Sequence, residues 1–215
     1  DSPMVEILTL DPLHDDDARK LIETTLQVEP RLAKQIQSRC AGSPIFAVQI
    51  VEGLVERGLL EASSKGFKLK DGASFSLPES IQDLWIDRVN TCLAGMPEES
   101  LAAIRVAAAL GVDVEQDDWE ATCRSQNIDI PAALLSRLTR ADLINASGDR
   151  WSFTHGLLRT AIAQKAGADW QQINHACANM LASRNPSAGI NQRIGQHLIE
   201  AGELEDALGY LMRGI

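Results

Sequence analysis

The sequence predicts a mainly α-helical protein, and three observations carry that prediction. Apolar residues recur at three- and four-residue spacing along most of the 215 positions. Acids, Ser or Pro open several of these stretches, and glycines close them. A period of two appears only briefly, near residues 65–70 and 143–153. The expected architecture is a helical lid bundle over residues 1–75, a helical unit with a small β-hairpin over residues 76–165, and helical hairpins over residues 166–215.

Asp15, Asp16 and Asp17 precede Ala18, Leu21, Ile22 and Leu26, acids placed where a helix N-terminus is electropositive. Capping explains this triplet better than metal binding, since no other clustered oxygen ligands accompany it. A second helix is expected over residues 31–40, stopping at Gly42. Pro44 then starts a third, with Phe46, Ile50, Val51, Leu54 and Val55 as its apolar stripe. Gly66 with alternating Phe67 and Leu69 reads as a short hairpin or extended arm.

Past Leu77-Pro78, one helix carries Ile81, Leu84, Trp85 and Val89. A second carries Leu101, Ile104, Ala108 and Leu110 up to Gly111. Shorter helices follow near residues 116–124 and from Pro131 through Arg140. Leu143-Ile144 and Trp151-Ser152-Phe153 flank Ser147-Gly148-Asp149, a hairpin signal. Three helices and then a hairpin is the order of a winged helix. Beyond His155, helices are expected through Leu157, Leu158, Ala161 and Ile162, from Asp169 to Leu181, and after the Asn185–Gly189 loop over residues 190–201 and 204–215. The last pair, split at Ala201-Gly202-Glu203, has the small-residue packing of a tetratricopeptide-type hairpin.

Composition narrows the function. The chain is 45% hydrophobic and 23% charged, the balance of a globular protein rather than a disordered one. No run of about 18 apolar residues predicts a membrane span, and a cytoplasmic location is expected. The net charge of −10 is spread as −3, −5 and −2 over residues 1–75, 76–165 and 166–215. No segment gathers the basic face that a phosphate backbone or anionic membrane selects. Cys40, Cys92, Cys123 and Cys177 lie far apart with no metal spacing, and read as buried free thiols of a reducing compartment. The start at Asp1, without Met or a signal-peptide pattern, suggests a piece of a longer protein.

Catalytic motifs are missing: no GxxxxGK[ST], no GxSxG, no HExxH. His175 and Cys177, two apart on a helix, point to different faces. His197 reads as a surface or half-buried structural histidine, and His14 stands alone in the first loop. The chain is therefore expected not to be an enzyme by itself, and no metal site is expected. Two stretches stand out. In Cys40-Ala41-Gly42-Ser43-Pro44-Ile45-Phe46, Gly and Pro make a rigid helix junction. In Trp151-Ser152-Phe153-Thr154-His155-Gly156-Leu157-Leu158-Arg159, a strand delivers a histidine where a helix begins, and both the helix end and the imidazole can meet a phosphate.

Together with Leu8-Thr9-Leu10-Asp11-Pro12-Leu13 and Leu77-Pro78-Glu79-Ser80-Ile81-Gln82-Asp83-Leu84, these stretches resemble the STAND family of signal-transduction NTPases. They resemble the part after the P-loop core in large bacterial regulators: those fused to adenylate cyclase or Ser/Thr kinase domains, and LuxR-type activators. The resemblance implies a helical lid, a winged helix and the first tetratricopeptide-like sensor helices. It further implies that Gly42 and Pro44 form the lid motif whose proline packs on the nucleotide base. By the same resemblance His155 reaches the β-phosphate of ADP, and Arg159, four residues on, has a phosphate or interdomain role. ATP or ADP would be held by a P-loop core that this chain lacks. The implied partners are that core and, through the C-terminal helices, an effector or protein. Two other readings compete. One is a DNA-binding winged helix using Arg137 and Arg140, which the local charge opposes. The other is a helical protein-interaction scaffold.

Overall fold

The computed structural model describes residues 11–73, 77–184 and 187–214. Leu8-Thr9-Leu10 of the first motif, the expected boundary between residues 75 and 76, Asn185-Pro186 and Ile215 lie outside the described residues. The described chain is mainly helical with two small antiparallel sheets, as the periodicity predicts. It divides into two compact units, one through Leu84 and one from Trp85 onward.

In the first unit, α1 (Asp15–Lys20) runs into a wider π-type turn at Leu21–Thr25. Then come α2 (Pro30–Cys40) and α3 (Pro44–Glu56), both with proline in the first turn. Ile22, Leu32, Ile36, Phe46, Ile50 and Leu54 form the core. Val55, expected in the stripe of α3, is 60% exposed. Ala47 and Val51, on the same helical row, are buried, so its exposure comes from its place in the last turn of the helix. The hairpin is real: β1 (Leu60–Ser63) pairs with β2 (Gly66–Leu69). It is fastened to the segment before α2, where Phe67 N donates to Gln27 O at 2.7 Å and Glu29 N donates to Phe67 O at 2.9 Å.

α4 (Ile81–Leu93) spans the division between the units and is capped by Ser80, whose Oγ accepts from Asp83 N at 3.1 Å. The second unit continues with α5 (Glu99–Leu110), β3 (Asp113–Glu115), α6 (Gln116–Ser125), α7 (Leu134–Arg140), β4 (Ile144–Ser147) and β5 (Arg150–Phe153). The strands form one antiparallel sheet in the order β3-β5-β4, with Ala146 opposite Trp151 and Ile144 opposite Phe153. β3 corrects the two-stranded expectation; three residues are too short for alternation to show. With it, the element order is that of a complete winged helix. Its core is aromatic. The Trp119 and Trp151 rings meet edge-on at 5.2 Å, Trp151 and Phe153 at 5.4 Å, and Trp119 Nε1 donates to Ala103 O at 2.7 Å.

α8 (Gly156–Lys165) buries Leu158, Ala161 and Ile162 but leaves Leu157, expected on that face, at the surface. The remaining helices are α9 (Asp169–Ala182), α10 (Ala188–Ala201) and α11 (Leu204–Arg213), with α10 leaning on both neighbours. Gly202 closes α10 in the left-handed conformation. Gly195 lets α11 approach closely, since a Cβ there would stand 2.6 Å from Leu211 Cγ. α9 also packs on α5 and α6, so the helices after residue 165 share a core with the winged helix. No helix among the described residues is long and apolar enough to cross a membrane.

Candidate functional site

The junction between α2 and α3 is shaped by its backbone. The left-handed turn begins at Ala41 (φ 45°), one residue earlier than Gly42 itself suggests, and continues through Gly42 (φ 77°). Gly42 is required for a second reason that sequence spacing does not show. A Cβ on it would lie 2.6 Å from Leu13 O and 2.8 Å from Pro12 Cβ, and Leu13 N donates to Gly42 O at 2.8 Å. Ser43 caps α3 by accepting from Phe46 N at 3.4 Å. Pro44 and Ile45 are thereby left exposed on the first turn while Phe46 turns into the core. An exposed Pro-Ile pair on a rigid elbow can meet a flat apolar surface such as a purine.

In the second unit, β5 ends by burying Trp151 and Phe153, and His155 follows in extended backbone at the N-cap of α8. Its side chain caps nothing. The ring instead lies 5.1 Å from that of Trp85, at a tilt of 48°. Arg88, one turn further along α4, stacks its guanidinium over the same indole at 5.0 Å. His155 is exposed and its ring nitrogens have no hydrogen-bond partner among the described residues. The site is an imidazole and a guanidinium flanking one buried tryptophan, at a helix start whose amides carry positive potential. Chemically it can receive an anion.

Arg159 goes elsewhere. Its Nε donates to Ala108 O at 2.7 Å, and the side chain lines a cleft with α9 and α10, so His155 and Arg159 turn to different neighbours despite their four-residue spacing. That cleft also contains Arg193, Asn174 and His197, which is buried rather than at the surface or half-buried as expected; spacing in the sequence marks none of the three as a site. His197 Nδ1 lies 2.8 Å from Asn174 Oδ1, a pairing across 23 residues that only the fold reveals. Burial, helped by Arg193 and Arg159, pushes the His197 imidazole down to about 4.

The remaining candidates are structural. All four cysteines are buried free thiols, and burial pushes Cys40 up to about 11 and Cys123 and Cys177 to about 12. His175 pairs with Glu203. Asp118, 2% exposed, is paired with Arg184 and stands 4.0 Å from Arg193, tying α6 to the end of α9 and to α10. Arg137, a residue of the DNA-reading alternative, donates to Ala94 O at 3.0 Å, and Arg150 in the hairpin pairs with Glu115. Among the described residues, no group of three or more His, Cys, Asp or Glu is placed to hold a metal ion.

No family model matches the chain, and no curated protein matches it. Among solved structures it is similar to a signal transduction ATPase with numerous domains (STAND) that carries a tetratricopeptide repeat sensor, from Pyrococcus horikoshii. The identity is 14% and the TM-score 0.47, over 94% of this chain and 26% of that one. The chain thus spans about a quarter of that protein's length.

Proposed function

We propose that this chain is a non-catalytic regulatory part of an ATP/ADP-dependent signalling switch, comprising a lid, a winged helix and the first sensor helices. The observation that carries this reading is the state of His155. It stands exposed at the start of α8, held against Trp85, with its nitrogens unpartnered among the described residues and no side chain capping the helix. A structural histidine would be expected to use its side chain as a cap or a core hydrogen bond. Pro44, exposed on the elbow that Gly42 makes possible, supports the same reading.

In this proposal ADP is bound by a separate P-loop core of the full-length protein, which is the ATPase-type part. The nucleotide supplies a purine face and a phosphate charge; Pro44 offers the apolar contact and His155 the hydrogen bond. A contact made in only one nucleotide state biases the switch toward that state. One charge-assisted or neutral hydrogen bond to phosphate supplies a few-fold to roughly hundredfold bias. In the full-length protein, His155→Ala is expected to raise basal signalling output and to speed ADP release within that range. Unchanged output together with unchanged ADP retention overturns the reading.

A second role has its own observation. α11 leaves Leu204, Leu208 and Met212 exposed at 65%, 60% and 69%, spaced four apart along one face. This supports protein or effector contact through the C-terminal helices. DNA reading has weaker support: of its two arginines, Arg137 donates to Ala94 O and only Arg140 stands exposed, in a segment of net negative charge. A gel shift at low salt that yields a saturable complex would restore it.

A further inference from the structure

A cleft of about 790 Å³ opens in the second unit where the C-terminal end of α5 meets α8, α9 and α10. That is the size range of small-molecule sites. Arg159 comes to it from α8, Asn174 from α9, and Arg193, His197 and Glu200 from α10.

Asn174 Nδ2 donates to Trp170 O at 2.9 Å, which fixes the orientation of the amide. Oδ1 is therefore the atom facing His197 Nδ1 at 2.8 Å, and it can only accept. Nδ1 must carry the imidazole proton, and Nε2 is left as an acceptor. His197 is only 7% exposed, its ring lines the cleft, and Nε2 has no partner among the described residues. The two guanidiniums retain donor capacity. Arg159 uses Nε on Ala108 O, and Arg193 has only its 4.0 Å approach to Asp118. Glu200 already accepts from Trp170 Nε1 at 2.9 Å. The cleft thus offers two cations, one engaged carboxylate and one imidazole lone pair that no protein group uses.

We propose that this cleft binds a small phosphate- or carboxylate-bearing metabolite that also carries a hydroxyl or amine. Arg159 and Arg193 take the anionic group, and His197 Nε2 accepts from the neutral donor. A fully deprotonated anion such as sulfate would engage the guanidiniums and give the imidazole acceptor no proton; a cation would meet two like charges. The ligand would bridge α8 of the winged helix and α10 of the sensor helices. The proposal is independent of the nucleotide reading, which is tested at His155, a residue outside this cleft.

The test uses the whole 215-residue chain. Titrations at constant ionic strength with sulfate, glycerol 3-phosphate, 3-phosphoglycerate and L-serine are followed by calorimetry and by the ¹⁵N resonances of the histidine side chains. At least one of the three hydroxyl-bearing probes is expected to bind saturably, at least tenfold tighter than sulfate, and to shift His197 Nε2. Arg193→Gln should weaken that binding tenfold or more. His197→Phe should remove the preference over sulfate. Gln164→Glu, at an exposed position of the cleft wall, adds an opposing charge without removing a contact and should also weaken binding if Arg193→Gln disturbs folding. Absence of saturable binding by every probe, equal affinity for sulfate, or binding that survives both Arg193→Gln and Gln164→Glu overturns the proposal.

Discussion

Each of the two units has its own means of internal cohesion. The first relies on close backbone approaches: Gly42 against Pro12-Leu13, Gly66 against Gln27, and left-handed backbone at Gln27 and Ala41. The second relies on interlocked side chains, with Trp119, Trp151 and Phe153 in edge contact and buried polar partners at His197 and Asp118. The difference separates their vulnerabilities. A unit built on close backbone contact is sensitive to one added methyl, whereas a unit built on large and polar side chains is sensitive to truncation and protonation.

The largest expected effect removes the centre of the second unit. Trp119→Ala deletes a fully buried ring and leaves Ala103 O without its donor, and should cost about 3–5 kcal/mol in urea denaturation. A loss below 1 kcal/mol would mean that the aromatic cluster is not what holds that unit.

Next comes the first unit's counterpart. At Gly66 (φ 114°) a Cβ would stand 2.4 Å from Gln27 O, so Gly66→Ala should cost about 2–3 kcal/mol. Gly148→Ala, also at positive φ (59°) but with nothing within 4 Å, should cost only about 1–2 kcal/mol. Equal losses at both positions would show that backbone conformation, rather than close approach, governs the first unit.

Protonation should act on the second unit. His197 titrates at about 4 in the folded chain against 6.5 ordinarily, so between these values the unfolded chain binds the extra proton. Its contribution is fully present above pH 6.5, falls as the pH drops, and is lost once the pH passes below 4. On the order of 3 kcal/mol is at stake. Comparing stability against pH for the native chain and His197→Gln isolates this slope; parallel curves would remove His197 as its source. The smallest effect is expected at the elbow of the first unit, where Ser43→Ala removes a long capping bond and should cost about 0.5–1 kcal/mol.

Helices were legible where local chemistry sets them. Asp15–Asp17, Pro44 and Gly202 stand at helix ends because charge, fixed φ and permitted left-handed backbone act over a few residues. β3 was not, since its pairing with β5 depends on partners 35 or more residues away. The placement of Val55 and Leu157 also escaped periodicity, as tertiary contacts define where an apolar stripe ends. Among the candidate site residues, His155 and Gly42 were recognisable from their motifs. The motif could not show that Gly42 accommodates a neighbouring backbone or that Arg159 turns to Ala108. Arg193, Asn174 and His197 come together only through the packing of α9 on α10, so neither periodicity nor spacing marks them.

The four buried cysteines have a practical consequence. Thiolate is the reactive form, and burial with raised pKa keeps it scarce at neutral pH. Alkylating reagents should therefore leave the native chain nearly untouched and modify all four sulfurs once it opens. That contrast makes the chain its own unfolding reporter. It also provides a silent background on which a single cysteine introduced at an exposed position can carry a spectroscopic label.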